Sequence, residues 1–242
     1  MLRSLFAATL LFVCGCEDNK EQDIITFGVS ADYPPFEYYE NGKMVGFEID
    51  LAESVASKLG KKYAFKDMAF PSLFADLQNG TVDVVVSAIN PTDLRRQSYD
   101  FTRAYYTVGI ALVQKKDAST YGISNIKVAC QVGSVPEQWM KKNNPEAEIV
   151  AVDNVNQAVE LIKTGHVDAV SLDATVAKQI CDKNSDLVFI VLVEPSENED
   201  FGFAMATKKE SLLKNQIDTV IQQLEESGEL STIKSKWNLD GE

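Results

Sequence analysis

One cation and one anion, at matching points of two similar segments, are the residues best placed to do chemistry. Ser87-Ala88-Ile89-Asn90-Pro91-Thr92-Asp93-Leu94-Arg95 follows from the apolar run 82–87, which predicts a strand, and Leu172-Asp173 ends a second strand-like run. In open α/β sheets, small molecules bind in the crevice beyond the strand C-termini. An arginine there can clamp a carboxylate through two parallel hydrogen bonds, and an aspartate can accept from an ammonium. Arg95 and Asp173 together would therefore complement a zwitterion. Each also has a plainer role open to it: Arg95 as a surface arginine in a turn, Asp173 as the N-cap of a helix over 174–183. Nucleophilic and metal chemistry find less support. The chain has no Gly-x-Ser-x-Gly elbow, no phosphate-binding Gly-Lys-Ser/Thr loop and no Cys-x-x-Cys pair. Its single histidine, His166, follows a turn glycine and reads as a surface residue, whereas zinc sites usually draw three or four N or S ligands. Carboxylate pairs for acid–base work can be drawn at will from 36 acids, so they decide nothing.

Composition narrows the partners. The 242 residues carry 23 Lys+Arg against 36 Asp+Glu, a formal charge of −13, and 45% are apolar. That apolar fraction can bury a core, and the length suits one large domain or two lobes of about 100 residues each. An acidic chain without a basic block is a poor ligand for phosphate backbones, so nucleic acid is not an expected partner. Residues 1–15 read as a removable leader: Arg3, an apolar run over 5–13 too short to span a bilayer, then small residues before Cys16. Its loss takes Arg3 and no acid, leaving a net charge of −14. The polar stretch 16–23 reads as a tether. Outside the cytoplasm, Cys130 and Cys181 could bridge or remain two buried thiols.

The elements that must position Arg95 and Asp173 are legible in outline. Residues 24–29, 63–68 and 82–87 predict strands, and 51–59 and 72–78 predict helices, a rhythm that implies a largely parallel sheet covered by helices. The order then recurs, with strands near 127–129 and 149–152 and helices near 136–143 and 155–163. Asn79-Gly80-Thr81-Val82-Asp83-Val84-Val85 also echoes Thr164-Gly165-His166-Val167-Asp168-Ala169-Val170, 85 residues later. Two similar α/β lobes are the simplest account: residues 24–113 with 201–242, and residues 114–200. The chain would cross between them near 112–116 and 194–202, so a two-segment hinge is expected. Leu212, Leu213, Ile217, Val220, Ile221 and Leu224 form one apolar helical stripe, and Leu230, Ile233 and Trp237 begin another.

Ser30-Ala31-Asp32-Tyr33-Pro34-Pro35-Phe36-Glu37-Tyr38 and Gly46-Phe47-Glu48-Ile49-Asp50-Leu51-Ala52 resemble the opening signature of the polar amino-acid solute-binding proteins of ABC importers. So do Ser87 to Arg95, Asp100-Phe101-Thr102, Gln131-Val132-Gly133-Ser134, the 165–170 segment and Lys236-Trp237, in family order along nearly the whole chain. The resemblance implies a periplasmic-binding-protein-like, type II flytrap. Arg95 would clamp the ligand α-carboxylate, helped by Ser87, by backbone amides near Ile89 and Asn90, and by Gln131 and Ser134 from the other lobe. Asp173 would hold the α-ammonium, and Tyr33 and Phe70 would sandwich the side chain. Glu37 would meet a cationic head group, which favours arginine or another basic amino acid. The residue order Val13-Cys14-Gly15-Cys16 resembles a lipoprotein signal, implying a lipid on Cys16, an extracytoplasmic location and no other membrane contact. An ABC permease is the implied partner of a monomer, with no cofactor and no metal. Two rivals stay open: an enzyme on the same scaffold, as in cyclohexadienyl dehydratases, and a binding protein for a non-basic polar amino acid.

Overall fold

The structure is a computed structural model, and it describes residues 24–118, 123–195 and 201–240. The leader, the tether and Cys16 lie outside the described residues. In chain order the strands are β1 Ile24–Val29, β2 Asp32–Tyr33, β3 Glu37–Glu40, β4 Lys43–Val45, β5 Lys62–Asp67, β6 Val84–Val85, β7 Tyr99–Phe101, β8 Tyr106–Thr107, β9 Ile110–Lys115, β10 Lys127–Gln131, β11 Glu148–Val152, β12 Ala169–Asp173, β13 Leu187–Val193, β14 Gly202–Phe203 and β15 Ala206–Lys208. The helices are α1 Phe47–Lys58, α2 Leu73–Asn79, α3 Asp93–Arg96, α4 Val135–Asn143, α5 Val155–Lys163, α6 Ala174–Lys183, α7 Leu212–Glu226 and α8 Glu229–Lys236.

Two five-stranded sheets organise the chain, ordered β5-β1-β6-β15-β7 and β11-β10-β12-β9-β13. In each, a first strand pairs in parallel with the second and third, and an antiparallel strand from another part of the chain extends the sheet. The sequence echo has one physical cause in both lobes. Asp83 Oδ2 accepts the Thr26 N–H at 2.8 Å, and Asp168 Oδ2 accepts the Lys127 N–H at 2.8 Å, so each Gly-x-Val-Asp turn fastens the start of the adjacent first strand. His166 is exposed in the second copy of that turn, with Nδ1 2.8 Å from Thr164 Oγ1.

One expectation needs correction and one open alternative is decided. β9 pairs along its whole length with β12 and β13, so residues 112–116 are not the crossing: the chain leaves the first sheet after β7, pairs as β8 with β14, and enters the second sheet at Ile110. The apolar run 108–113 concealed this, because it enters β9 with no polar residue, while the polar Gln114 and Lys115 lie inside the strand and not at the boundary. The Cys130–Cys181 bridge is absent, both thiols being free. Cys130 packs with Val128, Leu112 and Met140 on one face of the second sheet. Cys181 packs from α6 on the opposite face, where Ala129, Val113 and Val170 point. Burial pushes the thiol pKa of Cys130 to about 12 and that of Cys181 to about 11.

The chain returns to the first lobe at its end. β15 enters the first sheet, and Trp237 Nε1 and Lys236 Nζ donate to Asp50 Oδ2 on α1 at 2.7 and 2.6 Å. Among the described residues no helix is long and apolar enough to cross a membrane.

Candidate functional site

The facing edges of the two lobes enclose a cavity lined from the first lobe by Ser30, Asp32, Tyr33, Glu37, Phe70, Ser87, Ala88 and Asn90, and from the second by Gln131, Ser134, Val135, Pro136 and Asp173. Eight of the ten expected ligand-binding residues are therefore on its wall: Tyr33, Glu37, Phe70, Ser87, Asn90, Gln131, Ser134 and Asp173. Arg95 stands beside the wall. Ile89 does not take part through its side chain, which is fully buried with Leu73, Leu77 and Phe101, while its carbonyl accepts from the Ala204 N–H. Ser30, Asp32, Ala88, Val135 and Pro136 were not assigned from the sequence, although the first three fall inside motifs quoted for other residues and the last two directly follow one. Ala88 holds φ +48°, a strained value for a residue with a Cβ, where the chain turns off β6 into the site.

Helix starts and strand ends do the positioning. Ser134 is the N-cap of α4: its Oγ accepts the Glu137 N–H at 3.2 Å, and Glu137 Oε2 accepts the N–H of Gly133, one residue before the cap, at 2.8 Å. Asp173 occupies the N-cap position of α6, yet its carboxylate makes no capping hydrogen bond. It turns to the cavity instead, where Oδ2 accepts from Tyr33 Oη at 2.6 Å, and the Asp173 N–H donates back to the same hydroxyl at 3.2 Å. Complete burial raises the Asp173 pKa to about 7, against the lowering effects of the Tyr33 hydroxyl and the Arg95 charge.

The Arg95 guanidinium joins the lobes. Nη1 donates to the Asn90 carbonyl at 2.8 Å and Nη2 to the Gly133 carbonyl across the cleft at 3.0 Å, with the Phe70 and Phe74 rings 5.9 and 5.1 Å from Cζ. Desolvation lowers its pKa to about 10, partly opposed by Asp173, so it remains a cation at neutral pH. Asp32 makes a third crossing: Oδ2 accepts the Val155 N–H at 2.7 Å at the start of α5. With the lobes held this close, the enclosed space has room for about one water molecule. A larger ligand must enter through an opened cleft.

A chain of buried acids lies on the first-lobe side. Ser87 Oγ accepts the Ser30 N–H at 3.0 Å and gives its own hydrogen to Glu37 Oε1 at 3.0 Å. Glu48, at the start of α1, accepts the Ala88 N–H at 2.7 Å on Oε2 and the Tyr105 hydroxyl on Oε1. Burial, then the nearby Glu48 charge, raises the Glu37 pKa well above the usual carboxyl range. Among the described residues no group of three or more His, Cys, Asp or Glu is arranged to hold a metal ion. The site's chemistry is that of complementary charges, amides and rings around a small polar molecule.

Comparison with known proteins agrees with this geometry. Residues 25–240 match the family model of the bacterial extracellular solute-binding proteins, family 3. The arginine-binding extracellular protein ArtP of Bacillus subtilis is 35% identical over 92% of this chain and 88% of its own length. Among solved structures, the amino-acid ABC transporter substrate-binding protein AbpA of Streptococcus pneumoniae, bound to L-arginine, superposes with a TM-score of 0.82 at 33% identity, covering 90% of this chain and 95% of that one. An ancestral arginine-binding protein bound to glutamine superposes with a TM-score of 0.85 at 32% identity, covering 90% and 99%.

Proposed function

Because the chain belongs to the bacterial extracellular solute-binding proteins of family 3 and is an amino-acid ABC-transporter solute-binding protein, we propose that its ligand is a cationic amino acid, arginine first. The observation that carries this reading is the distribution of charge around one cavity: Arg95 beside it, Asp173 across the cleft, and Glu37 buried on the first-lobe side near the Phe70 ring. In the opened cleft the ligand carboxylate takes the place of the Gly133 carbonyl on the Arg95 fork. Its ammonium takes the place of the Tyr33 hydroxyl on Asp173. The guanidinium then runs between Tyr33 and Phe70 toward Glu37, and Gln131 and the capped start of α4 at Ser134 close over the carboxylate. Only the closed arrangement reaches both ends of the ligand, so binding favours closure, and the permease reads the closed shape.

The same charge pattern supports binding without turnover, since Arg95 and Asp173 suit a free amino acid; an enzyme on this scaffold would instead release aromatic product from prephenate or arogenate. Cys16 carries a lipid in this reading and the protein works as a monomer outside the cytoplasm, both checked by the mass of the native protein and its elution volume.

Calorimetry with the twenty amino acids and ornithine tests the ligand. Arginine is expected to bind tightest, with Arg95→Ala weakening it by about 2–5 kcal/mol through loss of the carboxylate's buried partner. Binding confined to acidic or amide side chains would overturn the cationic reading, and unchanged affinity in Arg95→Ala would overturn the clamp.

A further inference from the structure

Glu37 and Glu48 make a buried carboxyl pair whose hydrogen bonds can be counted. Glu37 Oε1 accepts from Ser87 Oγ, and Ser87 has no hydrogen left for another acceptor. Glu37 Oε2 is buried and meets no donor; the group that faces it is the Glu48 carboxylate. Glu48 already receives the Ala88 N–H and the Tyr105 hydroxyl, and it stands second in a twelve-residue helix, where the helix dipole favours negative charge. Two bare carboxylates in contact, both fully buried, would repel in a medium that screens little. A single proton on Glu37 Oε2, donated to Glu48, satisfies every atom of the pair. The other titratable groups facing Glu37 do not relieve it: Asp32 on β2 adds negative charge, Tyr33 gives its hydrogen to Asp173, Tyr105 gives its own to Glu48, and Arg95 is engaged on the carbonyls of Asn90 and Gly133.

We propose that Glu48 is a specificity-positioning residue that keeps a proton on Glu37 in the ligand-free site, and that a cationic ligand side chain expels this proton to solvent when it docks. Glu48 does not touch the ligand; it acts through Glu37. The inference rests on the cationic-ligand reading above and deepens it, because the ionised Glu37 supplies the negative charge a guanidinium needs, whereas the protonated one, its hydrogen held by Glu48, faces the ligand without charge. Burial and the Glu48 charge raise the affinity of Glu37 for its proton, which the incoming cation must overcome. The sign follows from linkage: the ligand-free site binds one more proton than the cation-filled site, so arginine affinity rises with pH, approaching tenfold per pH unit between the two titration points. A neutral analogue lacks this contribution to the slope.

The test is calorimetry of the intact protein with arginine and with citrulline, its neutral analogue, at pH 7 in phosphate and in Tris. About one more proton should be released per arginine than per citrulline. The two ligands share their α-groups, so any proton leaving Asp173 appears in both titrations and cancels. Where citrulline does not bind, Glu37→Gln titrated with arginine supplies the comparison and should lose the release. Glu48→Gln, whose amide oxygen can keep the Ala88 N–H while its NH2 replaces the oxygen that accepts from Tyr105 and can donate to the Tyr105 hydroxyl oxygen and to Glu37, should bind arginine with the release largely gone. Arginine binding with no buffer dependence, or with the same release as the neutral analogue, overturns the inference while leaving the arginine reading intact. No arginine binding at all overturns both. The wild-type comparison stands by itself if either buried variant fails to fold.

Discussion

Asp173 shows what a single position leaves open and what its surroundings settle. Its sequence context fits a helix N-cap equally well, and it does begin α6, but its carboxylate abandons the helix for the Tyr33 hydroxyl 140 residues away. No local pattern encodes a contact of that separation. The same holds for Glu37, whose pairing with Glu48 depends on a strand and a helix start being brought together. Burial also gives Asp173 a measurable signature. Its pKa of about 7 in the folded protein lies above the value near 3.9 of an unfolded chain, so the native state holds the proton longer. Its contribution is favourable below pH 4 and is lost as pH rises to 7, on the order of a few kcal/mol. Asp173→Asn, which keeps an acceptor for Tyr33, should flatten the fall in stability between pH 4 and 7 relative to wild type. Thermal melts across that interval measure it, and an unchanged slope would remove Asp173 as the cause.

The elements were the most legible level, because their signals are local. The apolar stripes of α1, α5 and α7 and the apolar runs of β1 and β12 stand in the sequence at helical and strand spacing, and α6 begins and ends at the expected residues. Short strands that exist only through a partner were not legible: β8 and β14 are two-residue pairs between distant segments, whereas the expected strand over 82–87 is present but paired over Val84–Val85 alone. Several motif residues turn out to hold elements together away from the cavity. Asp100 binds Lys209 Nζ at 2.9 Å and the Glu210 N–H at 2.7 Å, and Thr102 Oγ1 accepts the Met205 N–H at 3.0 Å, so both fasten the returning chain to β7. Gly46 is the element-level position with the least tolerance. At φ +142° it brings the start of α1 against β3, and a Cβ there would lie 2.0 Å from the Phe36 carbonyl oxygen and 2.9 Å from Glu37 Cα. Those atoms are backbone and cannot step aside. Gly46→Ala should therefore cost about 3 kcal/mol or more in urea unfolding and separate Glu48 from Glu37; a loss under about 1 kcal/mol would contradict this packing.

At the scale of the whole molecule the lobes meet through few polar contacts, which is what a reversible clamp requires. Tyr33–Asp173, Asp32–Val155 and Arg95–Gly133 cross the cleft, and the connecting segments run side by side behind it. Gly109 lies where those segments approach most closely: a Cβ would come 2.2 Å from the Val193 carbonyl oxygen and 3.1 Å from Pro195. Gly109→Ala should push the two segments apart, raise the radius of gyration of the ligand-free protein in small-angle scattering and weaken ligand binding. An unchanged scattering curve would show that the close approach is not needed for closure. The charge of −13 acts at this scale too, as a long-range attraction for cations that no single residue accounts for.

By itself the sequence determined the class of the protein: its repeated Gly-x-Val-Asp turns, helix caps and ordered motifs each depend on neighbours a few residues away, and spacing along the chain records such interactions faithfully. It also named most of the cavity wall, because those residues cluster at strand ends and helix starts. Only the tertiary structure decided that β9 belongs to the second sheet, that the cysteines face apart, that Arg95 spans the lobes and that Glu37 is paired with Glu48. Each depends on which face of a sheet or which end of a helix meets another across long sequence separations. Burial then changes the charge a group carries, and that is a property of the assembled molecule rather than of the residue.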